Sequence, residues 1–196
     1  RWYEVTGVQT CALPIFEPTA VRLWNWLRCG AALFEVGDAA ACGERLDCYI
    51  RQVRYLGEVV DTSPEPKARW NAAVVLVANA LCFGDTLALG PALDRLDAEC
   101  TAQILPDGGH VSRAPSRTLG CLLQLLALED LLTRSGGAVP DFFGKWIPRM
   151  GAMVAFFHVP DGALDPFNDG DESRPEVVEA ALSRLPAPPR RFTFAP

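Results

Sequence analysis

Between Pro106 and Pro115 the chain reads Pro-Asp-Gly-Gly-His-Val-Ser-Arg-Ala-Pro, and Arg117 follows two residues later. An imidazole can take or give a proton near neutral pH. A guanidinium stays charged and is suited to bidentate contact with a carboxylate or sulfate, so His110, Arg113 and Arg117 suit anion binding better than proton abstraction. These three are therefore candidate substrate-binding residues, with no catalytic residue assigned. A second reading has His110 and Arg113 tying the loop to neighbouring helices.

Other reactive types fall into less promising settings. His158 ends an aromatic helical run, where a histidine can interact with terminal carbonyls. Tyr49 and Tyr55 lie in an apolar pattern that predicts packing with the hydroxyl at a surface. Trp24, Trp26, Trp70 and Trp146 suit either a core or a sugar-stacking cleft. Six cysteines after residue 15 form no Cys-x-x-Cys pair, which predicts buried thiols and no zinc site. Asp165 to Glu176 has the spacing of a calcium loop, but Phe167 occupies a required oxygen-ligand position. No metal and no cofactor are expected.

These residues need a scaffold, and the pattern around them is helical. Leu23, Leu27, Ala31 and Phe34 share a face after a Thr19 cap, predicting a helix to about Val36. Asp38 is the expected cap of a second helix carrying Leu46, Ile50, Val53 and Val60. A third, Lys67 to Phe83, is apolar nearly all round and so predicted to be buried. A fourth places Leu89, Leu93, Leu96, Cys100 and Ile104 in a stripe. A fifth begins near Pro115 or Ser116 and runs to about Arg134. A sixth, Asp141 to about His158, contains Pro148, where a kink or break is expected. A short acidic helix fits Pro175 to Leu185, and Arg191 to Phe194 is the single candidate strand. The predicted class is all-α, built from antiparallel helical hairpins.

Bulk properties narrow the function. The chain has 196 residues, 49% hydrophobic and 21% charged, with a mean hydropathy of +0.12, the composition of a globular domain with a substantial core. A net charge of −6 and a pI near 4.9 argue against nucleic acid as a partner. The most apolar run, Ala72 to Phe83, is too short for a transmembrane segment. Val5 to Ile15 looks like the translation of a common sequencing adapter. The expected organisation is thus a non-native segment over 1–15, a helical domain over 16–168 and a linker over 169–196.

Ile104 to Asn168 resembles the heparinase II/III-like polysaccharide lyases. Ile-Leu-Pro-Asp-Gly-Gly-His-Val-Ser-Arg-Ala-Pro before a leucine-rich helix, Pro148-Arg149-Met150, Phe156-Phe157-His158 and the Asp161-to-Asn168 loop carry the resemblance. It implies a partial (α/α) toroid, a C-terminal β-sandwich domain missing here, and a bacterial, periplasmic setting. It also implies β-elimination on an acidic, uronate-containing polysaccharide in the full-length parent. Arg69-Trp70-Asn71 resembles the family segment whose Asn binds the substrate carboxylate, which adds Asn71 to His110, Arg113 and Arg117 as a candidate substrate-binding residue. Ala72 stands where that segment has histidine, and a second reading has Asn71 as a local hydrogen-bonding residue. The loop motif also departs from the family's pattern at Arg117, where the acid/base tyrosine is expected, and at Thr118, where histidine is expected. This chain is accordingly expected to be a truncated and inactive part of such a lyase. The alternative is a non-catalytic glycan-binding or envelope-associated helical scaffold.

Overall fold

The computed structural model describes residues 16–159, 162–168 and 173–185. Among them the chain is all-α. The helices are α1 (Phe16–Phe34), α2 (Ala39–Val59), α3 (Pro66–Phe83), α4 (Thr86–Gln103), α5 (Pro115–Arg134), α6 (Asp141–Phe156) and α7 (Pro175–Leu182). Two isolated antiparallel bridges, Ile104 with His110 and His158 with Leu164, are the sole β-type pairings among the described residues. The candidate strand at 191–194 lies outside the described residues. No helix among them is long and apolar enough to cross a membrane. The chain divides into two compact units, 1–96 and 97–196, with the boundary inside α4.

In the first unit α1 packs on α2 and α3. Phe16, Ala20 and Leu23 of α1 meet Tyr49 and Leu56 of α2 and Ala68, Ala72 and Val75 of α3 in one core. As expected, α3 is buried around most of its circumference. It ends at Gly84, whose φ of 68° is a left-handed cap that a glycine adopts without steric penalty. Asp38 caps α2 by accepting a 2.8 Å hydrogen bond from the Ala41 N–H.

Two details of this unit differ from the pattern-based reading. Thr19 is no cap: it lies one turn inside α1, 2% exposed, and its hydroxyl accepts a hydrogen bond from Arg22. On α2 the inward line runs through Tyr49, Val53, Leu56 and Val60, leaving Leu46 and Ile50 more than a third exposed. An aromatic cluster decides that register. Tyr49 stacks on Trp26 at 6.4 Å and meets Phe34 and Phe83 at 5.7 and 5.5 Å. Its hydroxyl is not at a surface but donates to Asn79 Oδ1 at 2.9 Å, and burial raises its pKa. A buried phenol needs such an acceptor.

In the second unit α5, α6 and α7 pack against one another. Leu122, Leu125, Leu128 and Leu132 of α5 and Phe143, Met150 and Val154 of α6 are buried. The last described residues are clamped: Leu185 fills the space over Gly151 that a side chain there would take. Arg184 grips Asp130 with two bonds of 2.6 and 3.0 Å. Helix α6 continues through Pro148, so of the expected kink or break the break does not occur. Both Pro148 and Gly144, whose carbonyl loses its i+4 donor, face solvent, so water can take over the freed acceptor.

The thiols are also less buried than expected. Cys100 and Cys121 are enclosed, but Cys29 and Cys82 are exposed and Cys42 and Cys48 intermediate. Trp70 and Trp146 are core residues at 0% and 4% exposure. Trp24 and Trp26 pack partly buried on the first unit's core.

Candidate functional site

The polar loop joins α4 to α5 and is determined by its own hydrogen bonds. The Gly108 N–H donates to Leu105 O, the Leu105 N–H to Gly109 O and the Val111 N–H to Gln103 O, each at 2.8 Å. Gly108 has a φ of 90°, and a Cβ there would collide with the Arg149 carbonyl, so α6 backbone lies directly against the loop. Both features require glycine. Asp107, its side chain 1% exposed, accepts from the Gly109 N–H at 2.9 Å and from Arg113 Nη1 at 2.6 Å. Arg113 itself sits at φ 58°, a left-handed conformation uncommon for a residue with a Cβ.

His110 is 5% exposed. Its Nε2 lies 3.2 Å from Gln103 Oε1, so it carries the proton; Nδ1 then accepts from the Ser112 N–H at 3.1 Å and Oγ–H at 2.8 Å. Burial, with a smaller contribution from the Arg117 charge, lowers its pKa to about 4. The ring is therefore neutral at physiological pH. Thr118 accepts from the His110 N–H at 3.1 Å and donates to Ala114 O, fastening the loop to the first turn of α5.

Arg117, in that turn, has a buried Nη2 with no hydrogen-bond partner. Its charge acts on His110 and on Cys121, whose thiol burial holds protonated. His110, Arg113 and Arg117 thus come together in the second unit. Asn71, 6% exposed in α3, belongs to the first. His158 lies just past α6, exposed, paired through its backbone with Leu164.

Beside the loop is a cavity of about 350 Å³ that the sequence did not announce. Gly109, Arg113, Pro115 and Thr118 form one side, and Met153 and Phe156 of α6, with Phe157 just past its end and Phe167, form the other. Phe157 packs against Phe156 at 5.1 Å and stacks on Phe167 at 6.3 Å. The available signal was the Phe-Phe pair at the end of an amphipathic helix, which exceeds what one buried face can absorb. Among the described residues, no group of three or more His, Cys, Asp or Glu is placed to hold a metal ion.

No family model matches the chain, and no solved structure matches it. The chain is 33% identical over 179 residues to FtsZ-localized protein C of Caulobacter vibrioides, the match covering 89% of this chain and 31% of that protein. The chain thus spans about a third of the curated relative's length. This finding overturns the expected polysaccharide-lyase function, because the relative is named for localisation with FtsZ and not for glycan cleavage. The geometry gives the physical counterpart. Both ring nitrogens of His110 are engaged within the loop, and the place expected for the acid/base tyrosine holds a guanidinium that cannot act as a base.

Proposed function

We propose that this chain is a helical binding region of a protein that localises with FtsZ and takes part in cell division. One observation carries the reading: similarity to FtsZ-localized protein C extends over 89% of the chain, so it involves both units rather than a single motif. The loop supports it. His110, Ser112, Asp107 and Arg113 satisfy one another, as suits a braced surface feature rather than an acid/base pair. We also infer kinship with the heparinase II/III-like α/α toroid at the level of fold, resting on the Ile104-to-Asn168 motif and without that family's chemistry.

The experiment is a fluorescent fusion of the full chain imaged beside labelled FtsZ in Caulobacter vibrioides. Overlap with the FtsZ signal is expected. Uniform fluorescence in cells whose FtsZ is assembled would overturn the reading.

A further inference from the structure

We propose that the outward face of α2 is the contact surface of a two-fold homodimer, in which α2 of a second copy of this chain lies antiparallel across it. Tyr49, Val53, Leu56 and Val60 turn toward the core of the first unit, so the opposite side of the helix faces outward. There Leu46 and Ile50, one turn apart, are 38% and 37% exposed. Beside them run Glu44, Asp47, Arg51 and Arg54, all exposed, at spacings of three, four and three residues that keep them along one side of a helix.

The order of those four charges selects the occupant. Two acids one turn apart precede two bases one turn apart, so each charge has a like neighbour on its own helix, an unfavourable arrangement. Among the described residues, none of the four is in an ion pair with the rest of the chain. Their positions are mirrored about the level of Tyr49: Glu44 and Arg54 lie five residues to either side, Asp47 and Arg51 two. An antiparallel second copy, related by a two-fold axis at that level, sets Glu44 against the partner's Arg54 and Asp47 against the partner's Arg51, each pair occurring twice. A parallel copy would set like charge against like.

The same axis keeps each flank of the helix against the same flank of its partner, so the Leu46 and Ile50 flanks meet and cover one another. A protein of unrelated sequence has no reason to carry the mirrored order, whereas a second copy always does. One helix face per chain is a small interface, which places the dimer in the weak, transient class. The face belongs to the first unit alone, and the proposal stands or falls independently of localisation with FtsZ.

Sedimentation equilibrium of the full chain tests it, with reductant present so that exposed Cys29 and Cys82 form no disulfide between chains. A monomer–dimer equilibrium is expected, with a dissociation constant on the order of 10–100 µM. Raising NaCl from roughly 50 to roughly 500 mM should weaken it about tenfold. Arg51→Glu with Arg54→Glu makes the stripe wholly acidic and should abolish the dimer. Adding Glu44→Arg and Asp47→Arg reverses all four charges and should restore it. This quadruple variant should pair with itself but not with the original chain, because every pair in a mixed antiparallel dimer is then like-charged. All four positions are exposed, so circular dichroism should show unchanged helix content in both variants. An original chain that stays monomeric to about 500 µM at low salt would overturn the proposal and leave the face to a different protein. A double variant that dimerises as well as the original, or a quadruple variant that stays monomeric or pairs with the original as readily as with itself, would overturn it equally.

Discussion

A histidine whose two ring nitrogens are both engaged acts as a structural bolt, and its titration should show it. The folded-state pKa of His110 is about 4 against an ordinary 6.5, so protonation favours the unfolded chain. Its stabilising contribution is complete above about pH 6.5, declines as pH falls, and is gone below about pH 4, a loss on the order of 3 kcal/mol. Urea unfolding of the protein and of His110→Gln at about pH 7 and about pH 4.5 should show the stability gap between them shrinking by roughly 2–3 kcal/mol. A gap that does not change with pH would contradict this. Tyr49 is the counterpart in the first unit: Tyr49→Phe leaves Asn79 Oδ1 without its donor and should cost about 1–2 kcal/mol in the same assay. The residue types of the loop were legible in the sequence, as was the unsuitability of Arg117 for proton transfer. That His110 would be spent on Gln103 and Ser112 was not, because hydrogen-bond partners depend on how the loop closes.

Elements were read well where apolar periodicity was strong and local. The all-round apolarity of α3, the Asp38 cap and the Pro115 start of α5 all follow from short-range rules. The face of α2 did not, since an aromatic cluster from α1 and α3 turned Tyr49 inward over Leu46 and Ile50. The cavity was equally invisible, being made by the end of α6, the start of α5 and Phe167, which lies 58 positions after Gly109. The loop's placement against α6 rests on Gly108. Gly108→Ala should therefore destabilise by about 2–4 kcal/mol, through both the positive φ and the Arg149 carbonyl. Gly120→Ala, within α5 and with open space around its Cβ, should stabilise by roughly 0.5–1 kcal/mol instead. Paired thermal melts check the two signs; a stable Gly108→Ala variant would contradict the close approach of loop and α6.

At the scale of the molecule, two compact units share one helix, α4, with no linker of distinct composition at the boundary, which is why the sequence was read as one helical domain. The resemblance of the loop to a lyase motif drew the functional expectation toward glycan chemistry, while similarity along 89% of the chain leads toward FtsZ. A short motif reports how a backbone loop is built, and chemistry depends on which side chains that loop leaves unspent. The most direct measurement of the central claim is the position of the fluorescent full chain in Caulobacter vibrioides before and after FtsZ depletion. The account predicts a signal that coincides with FtsZ and disperses as FtsZ is lost. A signal that keeps its position without FtsZ, or never coincides with it, would contradict the account.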